Sequence, residues 1–169
     1  MTTPVPALAV RTCAVIVEGG EICLIRRTRP GGDQYSLPCG LLQPDEEVPA
    51  GLARELREEL DLDVTALPEL PQLRWAQDQI TTRPGRPGTF RRLHLIHLLH
   101  LPLHVRTRLP ATEQDADDET DVVWVGLWEA ATCHLYPHVG EVLGRLAVPG
   151  SASGPVLLPP ITDRTYSWR

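Results

Sequence analysis

Between Val48 and Leu60 the chain reads VPAGLARELREEL, and two patterns are superimposed in it. Leu52, Leu56 and Leu60 recur every four residues and make one apolar stripe, which predicts a helix over 48–60 packed on a core. Pro49 suits the first turn, where its missing N–H costs no hydrogen bond. Glu55, Glu58 and Glu59 stand at i, i+3 and i+4, so they share a neighbouring face. Like charges at that spacing repel, and the helix loses stability unless something cationic sits among them. A solvated acidic surface is the ordinary reading of such a run. Against it, Pro38 and Gly40 describe a tight loop entering the helix, and Glu46 and Arg54 could pair to hold that loop against it. An ordered loop feeding clustered carboxylates offers the all-oxygen donor set that a hard divalent cation requires.

Composition narrows what such a site serves. At 169 residues the chain is expected to form one domain, with 1–148 as its body and 149–169 as a tail of linker composition. Aromatic residues are 5%, so the core must rest on Leu, Val, Ile and Ala. All 16 basic residues are Arg, so any grip on phosphate is a guanidinium grip, bidentate where geometry allows. A net charge of -6 with scattered basic residues argues against a partner of duplex nucleic acid. No apolar run is long enough to span a bilayer, and MTTPVPALAV lacks a basic leader region, so a cytoplasmic protein without membrane attachment is expected. Cys13, Cys23, Cys39 and Cys133 are far apart with no C-x-x-C pair, against a zinc site or disulfide framework.

Elsewhere the pattern alternates strands with helices. VRTCAVIVEGGEICLIRRT predicts two antiparallel strands, 9–18 and 21–27, turning at Gly19-Gly20. RPGGDQYSLP reads as a loop, 63–66 and 73–80 as strand-like pieces, and the His-dotted 90–105 segment as a strand. VVWVGL is a short strand, followed by helical pieces near 127–132 and 138–147. The tail is expected to pack through Leu157, Leu158 and Trp168 or to stay partly mobile. The whole is an α/β fold with a mixed sheet.

Gly40, five residues, Glu46, seven residues, then Arg54-Glu55-Leu56-x-Glu58-Glu59-x-x-Leu62 closely resembles the signature box of the Nudix hydrolases (MutT-like). Within the box Asp61 stands where the family prefers Gly, and Asp tolerates a left-handed helix cap better than most residues. Just outside it, Cys39 stands where a first Gly is usual. The resemblance implies an α/β/α sandwich with a central mixed sheet and a loop-helix-loop metal site. It implies hydrolysis of a nucleoside diphosphate linked to another moiety, using Mg²⁺ or Mn²⁺. By position Glu55, Glu58 and Glu59 would face the metal, Gly40 would let backbone approach it, and Glu46 with Arg54 would orient the loop. Glu58 and Glu59 are the main catalytic candidates.

The general base is not specified by the box. In the acidic loop DADDETD, Asp117, Asp118, Glu119 and Asp121 are available, and Glu119 is the candidate, beside the plain reading of a solvated acidic loop. Arg26, Arg27 and Arg29 end the hairpin and could clamp phosphates of a small nucleotide substrate; Arg83, Arg86, Arg91 and Arg92 are further candidates. His94, His97, His100 and His104 lack a Cys or acidic ligand nearby, so substrate lining or packing is expected, with 94, 100 and 104 sharing a strand face. The apolar LHLIHLLHLPL and the tail offer surfaces for a homodimer. The alternative to catalysis is a nucleotide-binding sensor or regulator on the same fold.

Overall fold

A computed structural model describes residues 8–114, 119–151 and 154–168. Strands β1 (Ala9–Glu18) and β2 (Glu21–Arg29) form the expected hairpin, with Gly19 and Gly20 at φ +58° and +81°. Their pairing is limited to Val17 with Ile22 and Glu18 with Glu21. Beyond that point they diverge. β3 (Gly32–Ser36) continues along β2, and β4 (Cys39–Leu41) pairs antiparallel with β1 through Cys13–Cys39, Thr12–Gly40 and Arg11–Leu41. The chain therefore crosses from one diverging strand to the other at Leu37-Pro38, where the Pro38 carbonyl accepts from the Ala14 N–H at 3.0 Å.

Helix α1 (Val48–Leu60) follows this crossing with the bounds its periodicity predicts. β5 (Gln72–Arg83) and β6 (Arg86–His100) form a long hairpin, and β6 runs parallel to β1 over the length of that strand. After the short helix α2 (Leu103–Arg106), β7 (Asp121–Gly126) pairs antiparallel with β2. Helices α3 (Leu127–Ala130) and α4 (Gly140–Leu146) flank the two-residue β8 (Leu135–Tyr136), and β9 (Ile161–Thr162) adds to β5. Parallel and antiparallel pairs coexist in one sheet, so it is mixed.

Side-chain alternation along β1 explains the layering. Cys13, Val15 and Val17 join a cluster with Ile22, Leu24 and Ile96 that α3 and α4 cover through Leu127, Ala130, Val142 and Leu143. Ala14 and Ile16 face the other way, with Cys23 and Leu99, and the Leu52–Leu56–Leu60 stripe covers them. Burial on both faces is what the continuous apolar run in β1 encodes. The result is the expected α/β/α sandwich. No helix among the described residues is long and apolar enough to cross a membrane.

Local expectations differ from the structure at several points. RPGGDQYSLP is not merely a loop, because Gly32, at φ +108°, turns the chain so that β3 can pair with β2. Residues 64–66 form a 3₁₀ turn, since the Asp63 side chain accepts from the Thr65 N–H and winds the chain locally. His104 lies on α2, beyond Pro102, and so shares no strand face with His94; His94 and His97 are buried and His100 is exposed. LHLIHLLH is occupied within the sheet between β1 and β5. In the tail Leu158, Ile161 and Tyr166 are buried, whereas Leu157 is 65% exposed.

Asp61 caps α1 in the left-handed region, at φ 51° and ψ 33°, with its N–H donating to Arg57 O and that of Leu62 to Leu56 O. A non-glycine residue there is strained, so Asp61→Gly is expected to stabilise the fold by about 1 kcal/mol, a rise of about 2–4 °C in a thermal melt. An unchanged or lower melting temperature would mean that the Asp side chain compensates. Buried His94 sets a second expectation. Burial, then the Arg11 and Arg92 charges, push its pKa down to about 3 from 6.5. The unfolded imidazole takes a proton below pH 6.5 and the folded one does not until about pH 3. Its stability contribution is thus complete above pH 6.5 and erodes as pH falls through that window. Urea unfolding from pH 7 to 4 should show a shallower loss in His94→Gln than in the parent; parallel profiles would exclude His94 as the source.

Candidate active site

One guanidinium organises the loop–helix junction. Arg54 Nε and Nη2 grip Glu46 at 2.7 and 2.9 Å, and Nη2 also donates to the Leu41 carbonyl at 3.1 Å. Its Nη1 reaches Glu55 Oε1 at 2.7 Å and Glu58 Oε2 at 3.0 Å. The expected Glu46–Arg54 pair is present, and the same cation also meets two of the clustered acids. Arg54 and then the Gln43 N–H hold the Glu46 carboxyl at about 2. Part of the positive charge that the glutamate face needs is therefore built into the helix itself.

The three glutamates do not share one environment. Glu58 is exposed and turned toward Arg54, whereas Glu55 and Glu59 are buried at the β4 backbone. Glu55 lies against Gly40 so closely that a Cβ there would collide with its carboxyl carbon and both oxygens. Gly40 is thus required for space. Glu59 Oε2 accepts from the Cys39 N–H at 3.0 Å. A fourth acid joins them: Glu113 hydrogen-bonds Glu59 and receives Arg27 Nη2 at 2.7 Å, while the Gln114 N–H donates to Glu59 O at 3.0 Å. Burial, with Cys39, Glu113 and Glu55 close by, raises the Glu59 carboxyl to about 10.

Cys39, where a first glycine is usual, stands opposite Cys13, and Arg11 Nη2 reaches its Sγ at 3.0 Å and its carbonyl at 2.8 Å. The Cys13 hydrogen bond, against the opposing effect of burial, and the Arg11 charge draw its thiol down to about 7. Beside these groups opens a cleft of about 210 Å³ lined by Arg11, Arg27, Arg29, Ser36, Cys39, Glu59 and Tyr136. A cleft of about 230 Å³ bordered by His134, Asp163 and Tyr166 has no converging acids.

Of the sequence candidates, Glu46, Arg54, Glu55, Glu59, Gly40, Arg27 and Arg29 gather at this cleft or the junction beneath it. Arg26 instead pairs with Asp121 at 2.7 Å. Glu119, the candidate base, is exposed, and no hydrogen bond or ion pair links it to the cluster among the described residues; Glu113, six positions earlier, is the loop acid that enters. Asp117 and Asp118 lie outside the described residues. Glu113, Arg11 and Tyr136 were missed. A charged residue opening the apolar β1 was a signal for Arg11; nothing local distinguished Glu113 from its acidic neighbours.

The donor chemistry suits a hard divalent ion: carboxylate oxygens, a backbone that approaches without a Cβ, and a buried Glu59 carboxyl whose charged form burial and neighbouring acids disfavour. Among the described residues no three His, Cys, Asp or Glu side chains are arranged to hold an ion, because Glu55 and Glu58 are turned to Arg54. Ion binding at these residues entails exchange of Arg54 contacts for metal contacts.

A family model described as NUDIX domain matches residues 6–143. A MutT Nudix hydrolase from Burkholderia pseudomallei superposes with a TM-score of 0.52 at 24% identity, over 72% of this chain and 84% of that one. A MutT protein from Methanosarcina mazei gives 0.56 at 20% identity over 82% and 91%. The Nudix domain of Shewanella oneidensis NrtR, in complex with ADP ribose, gives 0.58 at 16% identity over 84% and 89%. At these identities the likeness establishes the fold.

The contact of Gly40 with Glu55 generates a mutational expectation. Gly40→Ala should displace Glu55 and destabilise the fold by about 1–3 kcal/mol, as overpacking does. Chemical denaturation checks this; a neutral substitution would show that the two groups are not in contact.

Proposed function

Because the chain belongs to the Nudix family and is a Nudix pyrophosphohydrolase, we propose that it cleaves the pyrophosphate linkage of a nucleoside diphosphate joined to a further moiety. A nucleoside triphosphate or a nucleotide sugar is the substrate type, with Mg²⁺ or Mn²⁺ as cofactor. The carrying observation is the convergence of Glu55 and Glu59 on the Cys39–Gly40 backbone, with Glu113 beside Glu59, at a cleft walled by Arg11, Arg27 and Arg29. Acids for a cation and guanidiniums for phosphate meet at one opening. The ADP ribose held by the Shewanella oneidensis domain supports a nucleotide-linked moiety as ligand.

Roles follow from placement. Glu55, Glu58 and Glu59, with the Gly40 backbone, are the proposed metal holders. When bound, a divalent ion neutralises phosphate oxygens and lowers the pKa of water. Arg11, Arg27 and Arg29 orient the diphosphate through oxygen contacts. Glu113 replaces Glu119 as the proposed proton acceptor, since Arg27 holds it beside Glu59 at the edge of the cleft. The regulatory reading rests on a different observation: Arg54 satisfies Glu55 and Glu58 without any ion.

Incubation with Mg²⁺ or Mn²⁺ and a broad panel of nucleoside triphosphates, nucleotide sugars and dinucleotides should release phosphate, pyrophosphate or a nucleoside monophosphate from at least one of them. Glu113→Gln should lower kcat by about 10²–10⁴-fold while leaving thermal unfolding near that of the parent, because Gln keeps the shape but cannot accept the proton. Tight nucleotide binding without turnover in either metal would decide for the sensor. Full activity of Glu113→Gln would remove that residue from the mechanism.

A further inference from the structure

The clustered acids have a counterpart of opposite sign, of which the proposed hydrolysis uses only Arg11. Ala9 is registered with Arg92 and Arg11 with His94 across the parallel β1–β6 pair, so Arg11 and Arg92 project from the same face of the sheet. Arg83, at the end of β5, lies over the Phe90 ring at 3.7 Å and the Trp168 ring at 4.7 Å. Arg92 lies over Phe90 from 4.2 Å and approaches the Tyr136 hydroxyl at 3.5 Å; Arg11 is 5.7 Å from the Tyr136 ring. The three guanidiniums thus surround one set of aromatic rings. By contrast, Arg91 turns to Asp78 and Arg86 is exposed.

Among the described residues none of the three meets a carboxylate within ion-pair distance, and the Nε of each is buried without a hydrogen-bond partner. The polar floor cannot serve as counter-ion. Gln79 Oε1 is already engaged by the Tyr136 hydroxyl at 2.7 Å and by His94 Nε2 at 2.8 Å. Burial and neighbouring arginines lower the pKa of both Arg83 and Arg92, the mark of cations that lack an anion. Their ring contacts occupy guanidinium faces and leave N–H edges, and such edges select oxyanions, phosphate above all.

We propose that Arg92 and Arg83, with Arg11 shared between them and the diphosphate cleft, form a second anion subsite, which holds a phosphate group on the part of the substrate remote from the scissile pyrophosphate. This rests on the hydrolase reading and deepens it. The cleft beside Glu59, at about 210 Å³, is smaller than the ~300–1,000 Å³ usual for a whole ligand. It accommodates a diphosphate, and the remainder of the substrate must extend beyond it. Tyr136 and Arg11 line that cleft and also touch the arginine–aromatic cluster, so they mark the direction of extension. The preferred substrate then carries, besides its pyrophosphate, a phosphomonoester on its distal moiety.

Calorimetric titration of the whole protein with matched pairs tests this without requiring turnover. Coenzyme A against its dephospho form, and NADPH against NADH, each differ by one phosphomonoester while both members keep a diphosphate. At least one phosphorylated member should bind tenfold or more tighter than its partner, and Arg83→Gln and Arg92→Gln should each bring that ratio close to one. Should Arg92→Gln fail to fold, the more peripheral Arg83→Gln supplies the same comparison. Equal affinities within both pairs, or a preference that survives both substitutions, overturns the subsite. A preference for nucleobase identity alone, seen on exchanging adenosine for guanosine diphosphate, also overturns it. Phosphate preference without hydrolysis of any compound would leave the subsite standing and sink the hydrolase reading; hydrolysis with equal affinities would do the reverse.

Discussion

β1 and β2 pair for two residues at their turn and then separate, and the positions of the site's parts follow from that separation. A strand pair that remained zipped would satisfy its own backbone groups. Once parted, β1 must find other partners, and it takes the Cys39–Leu41 segment on one side and β6 on the other. The Cys39–Gly40 backbone is thereby presented to the acidic face of α1, while the leucine stripe of the same helix seals the core beneath. Hydrophobic burial, worth roughly 25 cal/mol per Å², anchors the helix. With that anchor in place, its carboxylates can be held at positions they would not choose by electrostatics alone.

Charge is distributed around the opening in a consistent way. Acids gather at the loop–helix junction, with Arg54 pairing the outer members and Glu59 buried with Glu113 beside it. Guanidiniums line the cleft next to them. Arg27 joins the two, bonded to Glu113 at 2.7 Å and to Ser36 at 2.9 Å while lining the cleft. Each cluster is unfavourable by itself, and a ligand that brings both a divalent cation and phosphate groups would relieve both together. The fold brings parts of the two clusters to one cleft, where Glu59 lies with Arg11, Arg27 and Arg29.

What could be read from the chain and what could not divide along sequence distance. The bounds of α1, the Gly19-Gly20 hairpin and the left-handed Asp61 cap are local: periodicity, turn chemistry and one tolerant residue specify them within a dozen positions. The box glutamates were legible because their spacing is helical. Their inequality was not, since burial of Glu55 and Glu59 and exposure of Glu58 depend on β4, which the sequence reading left as loop. The selection of Glu113 over Glu119 was likewise hidden. Both sit in an acidic stretch, and only the partner Arg27, 86 residues away in the chain, distinguishes them.

The sequence alone determined the family, the layered α/β architecture and the helix that carries the acids, because apolar period and fixed spacing are properties of consecutive residues. Tertiary structure decided which side chains meet: Glu59 with Glu113, Cys39 with Cys13, and Arg11, Arg92 and Arg83 around Tyr136, Phe90 and Trp168. Those meetings depend on strand register and on where the C-terminal segment docks, and both are settled by summed contacts across the whole sheet. No local pattern encodes that sum, which is why the chemistry of the cleft became visible only once the chain was folded.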